Sequence, residues 1–240
     1  MQTNNLLRCF TIFTLILLLI CADASVSSAS ENNSGLYSQI AAKIRHSVVT
    51  IIVSDYNGQK KHIGSGFFYN SKGDIISNSH VLMKNTTAKI KTFKGDKYAV
   101  GSIIERDEKT DVVKAHVHIP ADTPFLKIAK TYPVVGEKIM VAGSPMGLEQ
   151  TYTEGIVSAW REIPDKGKVI QISAPVSPGS SGGPVLNMRG EVVGIAAFQI
   201  IYGQNLNFAI PVETIFKSRP SSATKKLKFH KNKKGVIIIE

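Results

Sequence analysis

Val48-Val49-Thr50-Ile51-Ile52-Val53 is β-branched throughout and is followed by Asp55-Tyr56-Asn57-Gly58, a turn signal, so it reads as a strand ended by a turn. The same texture recurs outward from it. Gly66 to Tyr69, Asp74 to Ser77, Ala88 to Thr92, Lys138 to Ala142, Gly155 to Ala159, Val169 to Ile172, Glu191 to Ala197 and Asn205 to Ile210 are short runs of the same kind, punctuated by Gly, Pro and Asn. Many short strands with almost no helical pattern predict an all-β sandwich or barrel. Two short helices are expected at the ends. One is Tyr37 to Ile44, with apolar Tyr37, Ile40, Ala41 and Ile44 at spacings of three and four; the other is Val212 to Phe216. No repeat of fixed period is visible.

Composition sets the class. With 240 residues, 43% hydrophobic and 20% charged, the chain is an ordinary globular protein. Its net charge of +11 is concentrated at one end, where Lys217, Arg219, Lys225, Lys226, Lys228, Lys231, Lys233 and Lys234 face a single Glu240. The folded body is only mildly basic, which argues against a nucleic-acid partner. The basic tail, residues 218–240, reads as a solvated segment; weak contact with an anionic membrane surface is the sharper alternative. Its last apolar run, Gly235 to Ile239, could add a strand to a sheet edge.

Residues 1–24 have the pattern of an export signal. Arg8 precedes the apolar run Phe10 to Ile20, and Ala22-Asp23-Ala24 offers a small-x-small cleavage site. Residues 25–35, rich in Ser and Asn, read as a flexible start. Cys9 and Cys21 both lie in the leader, so a chain cut after Ala24 has no cysteine and must rely on its core alone. Periplasm or secretion is the expected location.

Three segments bear the chemistry. Pro178-Gly179-Ser180-Ser181-Gly182-Gly183-Pro184 sets a serine between glycines, which permit a tight turn and the close approach of a substrate carbonyl. The amides of Gly179 and Ser181 would then form an oxyanion hole. Taken alone, the segment also fits a Gly/Ser turn between strands. His80, in Ser77-Asn78-Ser79-His80-Val81-Leu82, follows a strand, where a lone histidine is usually structural. Asp111, in Lys109-Thr110-Asp111-Val112-Val113, occupies a place where Asp is a common turn residue. Order and context decide among these readings. His, Asp and Ser occur in the chain order of the chymotrypsin-type triad.

The sequence resembles the HtrA/Deg family of trypsin-like serine proteases from about Val48 to Ile215. The likeness rests on Ser47-Val48-Val49-Thr50-Ile51, Gly64-Ser65-Gly66-Phe67, Asn78-Ser79-His80-Val81, Thr110-Asp111, Gly143-Ser144-Pro145-Met146-Gly147-Leu148, Gly155-Ile156-Val157-Ser158-Ala159, the Ser181 loop and Asn207-Phe208-Ala209-Ile210-Pro211. The resemblance implies two six-stranded antiparallel β-barrels over residues 36–217, acting on protein or peptide substrates without a cofactor. His80 and Asp111 would come from the first barrel and Ser181 from the second. It also implies a homotrimer formed through the segment before the first barrel, with Leu36 and Tyr37 as candidate contacts. Aligned to that fold, the primary pocket is expected from Pro175, Val176, Ser177 and Pro178 and from Ala196, Ala197, Phe198 and Gln199. None of these is acidic, which favours a small apolar substrate residue over Lys or Arg.

The chain departs from the family pattern in several places. Barely 25 residues follow Phe216, too few for the peptide-binding PDZ domains the family usually adds. Ser180 stands where asparagine is common. Lys114 and His116 interrupt the apolar strand after Asp111, and Asp107 is a second carboxylate nearby, although Thr110-Asp111 fits the motif better. These departures motivate a rival reading, a binding or chaperone-like module that kept the protease fold or a protease at rest. His116-Val117-His118 puts two imidazoles on one strand face, but no third ligand cluster accompanies them, so no metal site is expected.

Overall fold

A computed structural model describes residues 35–84, 86–120, 122–144, 150–164, 167–199, 206–215, 229–231 and 237–239. The expected leader, most of the flexible start, Pro145 to Leu148 and much of the basic tail lie outside these residues. The chain divides into an N-terminal unit, Met1–Ile40, and a second unit, Ala41–Glu240, which contains every strand. The helix expected over Tyr37 to Ile44 is present, at residues 35–44.

The β-branched run forms β1 (Val48–Ser54), and alternation of its side chains sends Val49, Ile51 and Val53 into a core. β1 pairs with β2 (Lys60–Phe68) through the turn at Asp55, where Gly58 takes a φ of 82°. β3 (Asp74–Asn78), β4 (Thr87–Lys91), β5 (Lys97–Asp107) and β6 (Val112–Val117) complete a closed barrel in the order β1-β2-β3-β6-β5-β4. The second half repeats the plan. β7 (Lys138–Gly143), β8 (Thr151–Ile163), β9 (Gly167–Ile172), β10 (Pro184–Asn187), β11 (Val192–Gln199) and β12 (Asn207–Pro211) close in the equivalent order. All pairings in both barrels are antiparallel, and closure leaves no open edge in either barrel. This is the all-β, two-barrel fold expected from the resemblance.

Each barrel has its own apolar interior. Ile51, Phe68, Ile75 and Ile90 are wholly buried in the first; Ile139, Ile170, Ile172 and Val185 are wholly buried in the second. At about 1.5–3 kcal/mol for each fully buried large apolar side chain, these residues dominate the favourable side of folding. Two strands carry no clear sequence signal. β5 is bulged between Val100 and Ile103 and again before Glu105, which breaks its alternation and leaves Ile103 and Ile104 exposed. β10 is only four residues long and starts at a proline.

A 3-10 turn, Val212–Ile215, stands where the closing helix is expected. The apolar end of the tail, β14 (Ile237–Ile239), pairs with β13 (Phe229–Lys231) as a separate two-stranded sheet instead of joining a barrel.

Candidate active site

The end of β3 and the start of β6 meet in register, Asn78 opposite Val112, and this brings the His80 turn against Asp111. Asp107 shapes the approach, its Oδ1 accepting from the amides of Lys109 at 2.9 Å and Thr110 at 3.1 Å. Asp111 then takes a left-handed φ of 60°. Its carbonyl accepts from Ser79 N at 3.1 Å and from Asn78 Nδ2 at 2.9 Å. Its carboxylate accepts from His80 twice, Oδ1 from the backbone amide at 3.0 Å and Oδ2 from Nδ1 at 2.7 Å. A carboxylate facing Nδ1 keeps a proton there and leaves the Nε2 lone pair available as a base. The Asp111 side chain is 13% exposed and the His80 side chain 51% exposed, so the carboxylate is shielded while the imidazole faces solvent.

Lys114 and His116 do not disturb this arrangement. In β6 they alternate with buried Val113, Ala115 and Val117, and each meets an acid on a neighbouring strand. Lys114 Nζ lies 2.7 Å from Glu105 Oε2, and His116 Nδ1 lies 2.7 Å from Asp74 Oδ1. His118 meets His116 edge to face, with ring centroids 4.8 Å apart. Among the described residues no group of three His, Cys, Asp or Glu is gathered to hold a metal ion.

The Ser181 loop is shaped by Gly179 and Gly182, with φ of 101° and 87°. Gly182 is also confined by space. A Cβ there would lie 2.2 Å from both Ser65 O and Ser77 Oγ, in the first barrel. Ser65, on β2, ties the loop across the barrels. Its amide donates to Ser181 O at 2.8 Å, and its hydroxyl donates to Gly179 O at 2.6 Å while accepting from Ser144 N at 2.9 Å. In the sequence Ser65 is one residue of the block Gly64-Ser65-Gly66-Phe67, and nothing local marks it for this role. Among the described residues neither the Gly179 nor the Ser181 amide donates to a backbone carbonyl.

Ser181 Oγ donates to Ala197 O at 3.0 Å, so its one proton is committed there and not to His80. Ala197 is the extra residue of a bulge, skipped between the pairs Ala196–Ala209 and Phe198–Phe208, which releases its carbonyl from the β11–β12 ladder. Of the residues expected to form the pocket, Val176 and Ala196 are buried in the second barrel's core, and Ala197 is also closed to solvent. Pro175, Ser177, Pro178 and Gln199 are exposed, and Phe198 stacks on Phe208 with centroids 5.1 Å apart. A cavity bounded by Asp111, Ala197 and Phe198 measures about 10 Å³, room for no more than a water molecule.

Known proteins share this fold. A family model described as the trypsin-like peptidase domain matches residues 64–195. Serine protease HhoB of Synechocystis sp. is 38% identical over 160 residues, 63% of this chain and 38% of that protein. An HtrA-like serine protease of Staphylococcus aureus is 38% identical over 178 residues, 65% of this chain and 23% of that protein. The crystal structure of a serine endoprotease from Yersinia pestis superposes with a TM-score of 0.66 at 26% identity, covering 75% of this chain and 63% of that one. The chain therefore spans well under half the length of the two curated relatives. The family model covers more than half of the chain, from within β2 to within β11; on that ground the chain belongs to the family of trypsin-like peptidase domains, and the curated proteins it is similar to are named as serine proteases.

Proposed function

We propose that the protein is an endopeptidase of exported proteins that works through an acyl-enzyme on Ser181. The observation that carries this reading is the double hold of Asp111 on His80, at 2.7 Å on Nδ1 and 3.0 Å on the backbone amide. Ser181 Oγ turns from Ala197 O to His80 Nε2, giving up a hydrogen bond worth about 1 kcal/mol. Nε2 takes the hydroxyl proton as Oγ attacks the peptide carbonyl, then returns it to the departing amine. Asp111 offsets the imidazolium charge, and the Gly179 and Ser181 amides receive the oxyanion. Water repeats the sequence to release the acid.

Export rests on the leader pattern of residues 1–24; among the described residues no helix is long and apolar enough to cross a membrane. Trimerisation near Leu36 and Tyr37 and weak membrane contact by the basic tail belong to the same proposal. The test is labelling of the purified chain with a fluorophosphonate, wild type beside Ser181→Ala. Labelling confined to the wild type supports the reading; a folded wild type that never labels overturns it in favour of a binding module or a protease at rest.

A further inference from the structure

The turn that carries His80 is held on its amide side by Asp111, and on its carbonyl side by one guanidinium. Arg106 projects from β5, where it pairs with Val113 of β6, two residues beyond Asp111. Its Nη1 donates to Ser79 O at 3.1 Å and to Ser79 Oγ at 2.9 Å, and its Nη2 donates to Leu82 O at 2.5 Å. Between them, Val81 O accepts from His62 Nε2 at 2.8 Å. The acceptors of Arg106 therefore bracket His80, one residue before it and two after.

This bracket bears on the imidazole directly. With 51% of its side chain exposed, His80 receives little burial to hold it, so its orientation is inherited from the turn and from Asp111. Mislocating a reacting group by about 1 Å can cost about 100-fold in rate. A planar fork that is always charged and carries only donors can span Ser79 and Leu82 at once, whereas an ammonium on a flexible stem acts as a point charge.

We infer that Arg106 is a positioning residue, which fixes the His80 turn so that Nδ1 meets Asp111 and Nε2 faces Ser181; the inference rests on the triad proposed for this site. The test uses the full chain as Arg106→Lys and Arg106→Gln, with two readouts: the fluorophosphonate labelling rate per folded molecule, and the His80 tautomer from imidazole ¹⁵N shifts at alkaline pH, assigned with His80→Ala. The expected result is labelling about tenfold slower for Arg106→Lys and slower still for Arg106→Gln, with the Nδ1–H tautomer of the wild type giving way to a mixture. Labelling within about twofold of wild type in folded Arg106→Lys, or an unchanged tautomer, overturns the inference. If the wild type itself does not label, the triad reading falls and the tautomer alone decides the role of Arg106. If Arg106→Gln does not fold, Arg106→Lys supplies both readouts.

Discussion

Asp111 holds His80 at two points, the ring through Oδ2 and the backbone through Oδ1, and it does so from a left-handed backbone at φ 60°. These two facts separate the charge of Asp111 from its conformation. Asparagine tolerates the left-handed region, so Asp111→Asn should fold as well as the wild type while turnover falls by about 10⁴. Alanine loses the charge and is also strained there, so Asp111→Ala should be less stable than Asp111→Asn by at least about 1 kcal/mol. Paired urea melts and peptide hydrolysis rates test both statements. Equal stability of the two variants would show that the backbone at residue 111 is not under constraint.

Gly182 carries a different constraint. Its φ of 87° bars most side chains, and its neighbours in the first barrel leave no room for a Cβ. Gly58 has a similar φ of 82° but nothing within 4 Å of its Cβ position. Gly58→Ala should therefore cost about 1 kcal/mol, the strain alone. Gly182→Ala should cost about 3 kcal/mol or more, because the Ser181 loop must withdraw from Ser65 and Ser77. Denaturant midpoints of the two variants give the comparison, and costs of equal size would sink the steric argument.

Ser65 joins two carbonyls of the Ser181 loop, those of Gly179 and Ser181, to β2. In Ser65→Ala the amide still donates to Ser181 O, while Gly179 O and Ser144 N lose their hydroxyl partner. The expected cost is about 1–3 kcal/mol of stability, with labelling of Ser181 about tenfold slower in the folded fraction. A stable variant that labels at the wild-type rate would show that the loop needs only the backbone bond.

Much of this arrangement is legible in the residues alone. Alternation and β-branching locate most of the strands, and the chain order of His80, Asp111 and Ser181 points to one chemistry. What stays hidden depends on contacts distant in sequence. Lys114 and His116 look like breaks in an apolar strand until β3 and β5 supply Asp74 and Glu105 opposite them. Arg106 has no local signal, because a lone arginine in a bulged, exposed strand resembles any surface residue. The turn of Ser181 towards Ala197 O follows from a bulge in β11, and a register shift of that kind leaves no trace in residue spacing.

Asp74 gives the site's flank a pH dependence of known sign. Burial opposes its ionisation, but hydrogen bonds from Asn70 and His116, with the charges of His116 and Lys72, outweigh that and hold its carboxyl below the usual value. A depressed folded value means that the ionised carboxylate stabilises the fold above the unfolded value, about 3.9. That contribution is lost as pH falls through the lower folded value. The stability gap between wild type and Asp74→Asn should accordingly be full at about pH 6 and close below about pH 4. A gap that persists unchanged to about pH 3 in urea melts would assign it to packing instead.

Specificity is the remaining test of the proposed chemistry. None of the residues expected around the primary pocket is acidic, and two of them, Val176 and Ala196, belong to the apolar interior of the second barrel. A lysine or arginine side chain placed there would be desolvated without a partner, which costs several kcal/mol. A valine or alanine gains about 0.8 kcal/mol for each buried methylene-sized group and meets no such penalty. A peptide library should thus show cleavage after Val or Ala over Lys or Arg by at least about 100-fold in kcat/KM. Cleavage mainly after Lys or Arg would mean that a carboxylate from elsewhere in the chain reaches the pocket.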